Sequence, residues 1–174
     1  GRGVGGLCVV AVVYTTTWDN YLGATGGWWY DIDLVSGIVL VYVPIEEYTV
    51  FLVQPIMTGL LLLLLMRYMK HDAQPAHSNQ TRIIGTVIAV SIWVIACGLL
   101  VLSLASPEWK PFTYIALELS WAGIPIIIQM AFGADIIWRH RRAVLLTLAV
   151  STLYLSFADA IAIQAGTWTI DPQQ

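Results

Sequence analysis

The sequence predicts an all-α integral membrane protein: a helical bundle of about five spans built from two parallel repeats, with a short re-entrant or interfacial segment beside them. Three observations predict it. Hydrophobic residues make up 58% of the chain and charged residues 11%, where a soluble domain carries about a quarter charged residues. The apolar residues gather in runs of spanning length, separated by polar or aromatic turns. The chain also resembles itself. A shift of 140 positions without a gap pairs Arg2 with Arg142, Val4 with Val144, Tyr14 with Tyr154, Asp19 with Asp159, Gly26 with Gly166, Trp28 with Trp168 and Asp31 with Asp171. Apolar matches come cheaply in membrane proteins, whereas a series of Asp, Arg, Gly and Trp matches does not, so the first and fifth spans are read as equivalent elements of the two repeats.

Residues 4 to about 22 are long enough to cross a bilayer with some tilt, although Thr15, Thr16 and Thr17 thin the apolar character. Trp18-Asp19-Asn20-Tyr21 follows, and then a glycine-rich turn to Trp28-Trp29-Tyr30-Asp31; aromatics crowded in this way mark a membrane interface. Residues 34–43 are apolar but too few to cross alone, and they form the re-entrant or interfacial piece, turning at Pro44. The second span runs from Ile45 to about Met66, where Pro55 is expected to introduce a kink. Residues 67–82 read as a solvated polar linker, with His71 and His77 as loop residues rather than metal ligands. Residues 83–105 are the third span, and residues 106–111 a tight turn. Residues 112–137 are the fourth span, interrupted by Glu118 and Pro125 and ended by Arg139-His140-Arg141-Arg142. Residues 143–165 are the fifth, closing on Gly166-Thr167-Trp168. The organisation is a first repeat over residues 1–66, a linker with a connecting span over 67–111, and a second repeat over 112–174. The chain opens on Gly1-Arg2-Gly3 and ends at Gln174 just after a span, which reads as a fragment of something longer; a second proline-glutamate helix is expected after Asp171.

Loops 67–82 and 139–142 hold nearly all the Lys and Arg, so the positive-inside rule puts both in the cytoplasm, with two spans between them as parity requires. Multi-pass membrane localisation with lipid as a partner follows. The net charge of −3 gives no ground for a nucleic-acid partner. Cys8 and Cys97 lie singly in apolar runs and read as packing residues. No glycine motif for a nucleotide is present, and Lys70 and Lys110 fall in loops, so neither a flavin or NAD domain nor a retinal Schiff base within a span is indicated; no cofactor and no metal is expected.

The chemistry concentrates at Pro44-Ile45-Glu46-Glu47-Tyr48. Proline suits the start of a helix, and the two acids then fall in a first turn whose unpaired N–H groups and dipole stabilise negative charge. One glutamate suffices for a capping box, and the second is surplus. Ionisable groups at membrane depth are costly and mark function by default. By helical rise, Asp19 and Asp159 fall near the non-cytoplasmic ends of their spans, and Glu118 lies ~9 Å in from that side. With Glu46 and Glu47, five carboxylates are thus expected near one leaflet, while Asp135 sits at the other beside the arginines. Glu47, Phe51 and Gln54 share a helix face. Clustered, buried carboxylates raise one another's pKa, so one can act as a general acid. Ringed by Trp18, Tyr21, Trp28, Trp29 and Phe51, it can protonate an apolar olefin, because π faces stabilise a cation while water is excluded.

Tyr14-Thr15-Thr16-Thr17-Trp18-Asp19-Asn20-Tyr21-Leu22, then Trp28-Trp29-Tyr30, then Pro44-Ile45-Glu46-Glu47-Tyr48 resemble the signature of the small membrane lycopene cyclases, known as paired bacterial subunits and as a domain fused to phytoene synthase in fungi. The resemblance covers essentially the whole chain. Thr17 stands where that family usually has proline, and Thr49-Val50 replaces a more aromatic pair. The resemblance implies a cofactor-independent closure of the linear ends of lycopene to β-ionone rings. Glu46 and Glu47 would then be the acid/base residues with Asp19 beside them. Trp18, Asn20, Tyr21, Trp28, Pro44, Phe51, Gln54, Glu118, Asp159 and Trp168 would line the carotenoid site. A second repeat or subunit, or a fused phytoene synthase domain, would be the protein partner. Two alternatives use the same residues: a cyclase of an elongated carotenoid, and a proton-coupled membrane transporter, which would also place acids and repeats within a bilayer.

Overall fold

The computed structural model describes residues 2–26, 28–69 and 77–170. His71, Pro75, the equivalence of Asp31 with Asp171, and the packing role of the Cys8 side chain lie outside what is described. Five α-helices are present among the described residues: α1 Arg2–Thr25, α2 Ile45–Tyr68, α3 Asn79–Ala105, α4 Thr113–Arg139 and α5 Arg141–Gln164. Four of them, α2 to α5, are long and apolar enough to cross a membrane. Four short strands accompany them: β1 Trp28–Tyr30, β2 Val39–Leu40, β3 Val43–Pro44 and β4 Trp168–Ile170. The chain forms two compact units, one of α1, β1 to β3, α2, α5 and β4, the other of α3 and α4.

In the first unit, α1 stops at glycine. Gly26 has φ 73° and its N–H donates to the Gly23 carbonyl at 3.3 Å. α5 stops in the same way, with Gly166 at φ 78° donating to Ile163 at 3.0 Å, and Thr167 donating to Ala162 at 2.9 Å. These are the bonds by which a left-handed glycine satisfies the last helical carbonyls. The two helices then feed strands that pair with each other. β1 and β4 are antiparallel, with Trp28 opposite Ile170, Trp29 opposite Thr169 and Tyr30 opposite Trp168.

The apolar segment too short to span, read from the sequence as a re-entrant or interfacial piece, is a β-hairpin. A 3₁₀ turn over Ile32–Leu34, capped by the Asp31 carboxylate accepting from the Asp33 N–H, leads into β2 and β3, which pair Val39 with Pro44 and Leu40 with Val43. Val39 and Val43 are β-branched, which disfavours helix and suits a strand. Val43 and Pro44 are buried, and the hairpin backs onto α1 so closely that a Cβ on Gly23 would stand 2.9 Å from Tyr42 Cβ. Pro44 is the residue just before α2, with φ −63° and ψ 151°, so it ends the hairpin and presets the helix start together. Glu46 and Glu47 follow in the first turn.

In the second unit, α3 and α4 form a tight antiparallel pair. The Trp93 indole N–H donates to the Ser120 carbonyl at 2.8 Å, and the same indole occupies the space a side chain at Gly123 would need. Small residues Ala96, Ser103, Ala116 and Ala134 are buried, as close helix packing without an aqueous hydrophobic drive requires. The polar linker is shorter than expected, because Ser78 caps α3 by accepting from Thr81 N–H at 3.2 Å and residues 79–82 are already helical. Asp135 pairs with Arg82 at 2.9 Å and also accepts from the Ser78 N–H at 3.3 Å; His77 stands 3.6 Å away.

Candidate active site

The last turns of α1, the first turn of α2, the end of α5 and strand β1 bring the acids of the first unit together. Asp19 is buried at 7% exposure on α1, with Leu22 about one turn further along at 1%. Tyr30, on β1, reports the cluster: burial first, and then the negative charges of Glu47, Asp19 and Asp159, push its hydroxyl above the usual tyrosine range. Carboxylates on three helices thus act on one phenol, which stays protonated and can donate. Glu47 is half-buried and lies within electrostatic reach of Asp159 and Glu46.

The two adjacent glutamates have separate roles. Glu46 is exposed, and its Oε1 accepts the backbone N–H of Ser36 at 2.6 Å. It ties the entry of the hairpin to α2 and does not close a capping box on its own helix. Glu47 is half-buried instead, and its charge acts on Tyr30. Asn20 is the second tie. Its Oδ1 accepts from Tyr42 N–H at 2.9 Å, and its Nδ2 donates to Thr16 O at 2.8 Å and to Tyr48 Oη at 3.1 Å. The Tyr48 hydroxyl in turn donates to Leu40 O at 3.2 Å. A half-buried asparagine with this set of partners is a fixed part, since each lost bond leaves a polar group unsatisfied.

Aromatic rings stand beside the acids. Trp18 stacks on Tyr21 with centroids 6.1 Å apart, Tyr48 meets Phe51 edge-on at 5.7 Å, and Trp28 meets Trp168 edge-on at 6.4 Å across the β1–β4 pair. The Trp28 indole nitrogen is buried without a partner among the described residues. On α2 the face of Glu47, Phe51 and Gln54 continues to Thr58, whose Oγ1 lies 3.3 Å from Ser151 Oγ on α5. Thr58 is three turns, roughly 16 Å, along α2 from Glu47, so α2 and α5 come within hydrogen-bond distance well away from that carboxylate.

The first unit thus assembles Asp19, Glu47 and Asp159 with the rings, and holds Glu46 at its edge. Glu118 is half-buried on α4, in the other unit. Sequence reasoning passed over Tyr30, Tyr48 and Ser36 as site residues. Tyr30 and Tyr48 stood inside the quoted motifs, but their partners come from a hairpin whose backbone supplies the bonds, and no side-chain pattern announces that.

No family model matches the chain, and no solved structure does. Among known proteins, the lycopene beta-cyclase of Halobacterium salinarum is 36% identical over 171 residues, covering 98% of this chain and 68% of the relative. The bifunctional lycopene cyclase/phytoene synthase of Aspergillus oryzae is 30% identical over 166 residues, 95% of this chain and 27% of that protein. The protein of the same name from Blakeslea trispora is 32% identical over 167 residues, 94% of this chain and 27% of its own length. The fold defines a helical protein with four helices long and apolar enough to cross a membrane, and with carboxylates and aromatic rings in one unit. The chain belongs to the lycopene beta-cyclase family.

Proposed function

We propose that this chain is a multi-pass membrane lycopene cyclase, closing the linear ends of lycopene to β-ionone rings without redox change. The observation that carries the proposal is that Glu47, Asp19 and Asp159 all act electrostatically on the half-buried Tyr30, in a unit that also holds the Trp18–Tyr21 and Tyr48–Phe51 ring pairs, in a member of this family. Glu47 in its carboxylic acid form gives a proton to the terminal double bond of the polyene, leaving a tertiary cation. The π pair of a nearby double bond attacks that cation, forming the ring C–C bond and moving the charge into the ring. A neighbouring carboxylate, Asp159 or Asp19, removes a ring proton and restores a double bond, so the product is an isomer of the substrate. The faces of Trp18, Tyr21, Phe51, Trp28 and Trp168 shield the cation from water and stabilise it electrostatically. Tyr30 donates to whichever carboxylate is charged, and Glu46 holds the hairpin.

We also infer that α1 crosses the membrane, giving five spans, and that residues 1–66 and 112–174 are parallel repeats joined by residues 67–111. What supports the repeats is that Gly26 and Gly166 end their helices by the same bond, and that the β1–β4 pair is centred on Trp29 and Thr169, positions related by the same shift. An antiparallel strand pair has a local two-fold axis through its centre, as repeats related about the membrane normal would need. Gln54 and Glu118 belong to the proposed lining, and membrane lipid and a further repeat or a fused synthase domain are the proposed partners.

The test is expression of the gene in lycopene-accumulating cells, with pigments separated by chromatography. The wild type converts lycopene to ring-bearing product. Unchanged lycopene together with pH-dependent ion flux would point to a transporter instead, and conversion of an elongated carotenoid alone to the other cyclase.

A further inference from the structure

The tip of the β2–β3 hairpin breaks the rule for its turn. Val39 pairs with Pro44 and Leu40 with Val43, which leaves a two-residue loop of Val41 and Tyr42. Val41 has φ 62°, and it is the only residue other than glycine with positive φ among those described. A positive φ at the first loop position is what glycine fills in such hairpins, and a β-branched residue there is a genuine outlier. The strain is imposed from both sides by residues of the acid site: Asn20, next to Asp19, holds the Tyr42 N–H, and Tyr48, next to Glu47, holds the Leu40 carbonyl. The valine side chain itself touches little, being 77% exposed. Glycine or asparagine would meet the demand of the backbone without strain, so what valine adds at this position is an apolar side chain open to contact from outside the folded chain. Ile38, Val39 and Leu40 already offer apolar surface beside it, so a strained valine adds little to general contact with lipid.

We propose that Val41 is a specificity-determining residue of the cyclase: the hairpin, fixed to the acid site through Asn20 and Tyr48, holds Val41 as an apolar wall against the isoprenoid end of the polyene. The proposal rests on the cyclase reading above. An end group must fold back on itself before ring closure, and a rigid apolar contact at the rim restricts it to that folded shape.

The experiment measures lycopene conversion in membranes for the wild type, Val41→Gly and Val41→Ile, with KM, kcat and the ratio of one-ring to two-ring product. Thermal stability is followed alongside. Val41→Gly removes the backbone strain, so the variant is at least as stable as the wild type, yet KM rises several-fold and one-ring product accumulates; Val41→Ile stays close to the wild type. If Val41→Gly cyclises lycopene with wild-type KM and product ratio, the valine serves only the turn or the lipid, and the proposal is overturned while the cyclase reading stands. If the wild type leaves lycopene untouched, both are overturned.

Discussion

Glu46 and Glu47 are neighbours in sequence whose carboxylates face different partners, and their substitutions separate the two roles. Removing a general acid lowers rate by about 10²- to 10⁴-fold, so Glu47→Gln brings turnover down within that range. Glu46→Gln still offers a carbonyl oxygen to Ser36 N–H, so it retains more activity than Glu46→Ala; equal losses in those two variants would contradict the tie. Tyr30 gives a second prediction. Its folded-state pKa is raised above the unfolded value of about 10. Its contribution to stability is therefore complete below that pH and fades as pH climbs above it, where only the unfolded chain ionises. In an alkaline titration of the folded protein, Tyr30→Phe removes none of the tyrosinate absorbance gained by about pH 10; a lost share of the signal would show that Tyr30 ionises normally. The acids were legible in the sequence because carboxylates in apolar runs are rare. The job of Glu46 was not, because its partner is a backbone N–H ten residues earlier.

At the level of elements, the four helices from α2 to α5 and their limits followed from apolar length, Pro44 and the arginine cluster, within a few residues. The hairpin did not, because ten apolar residues before a proline fit a helix fragment or a strand pair equally well until the bonds to Asn20, Glu46 and Tyr48 select the second. The α3–α4 pair depends on Gly123 yielding its space to Trp93. Overpacking a fitted contact costs roughly 1–3 kcal/mol, so Gly123→Ala lowers the stability of the detergent-solubilised protein by about that much. Gly133→Ala, where nothing lies within 4 Å of the added Cβ, is neutral or gains up to about 1 kcal/mol from helix propensity. Matching effects at the two glycines would remove Trp93 from its assigned place.

For the whole molecule, charge asymmetry and the shift of 140 positions carry more than any single element. The positive-inside rule predicts that both basic segments lie on the cytoplasmic side and the turn containing Lys110 on the other. Single cysteines at Ser106 and His140 in a cysteine-free background should react with impermeant thiol reagent from opposite faces of sealed vesicles; labelling from one face would refute the topology. The pairing of Trp28 with Trp168 was visible in sequence only as an equivalence of positions. That these rings touch depends on two helix ends meeting through antiparallel strands, which periodicity cannot state.

The central claim is that a carboxylic acid, Glu47, starts ring closure by giving its proton to the polyene. Cyclisation run in deuterium oxide, with the product examined by mass spectrometry, tests it most directly. The carotenoid gains one solvent deuterium for each ring closed, and Glu47→Gln membranes form labelled rings at least about 10²-fold more slowly. Rings formed without deuterium, or labelled rings formed by Glu47→Gln at the wild-type rate, would contradict it.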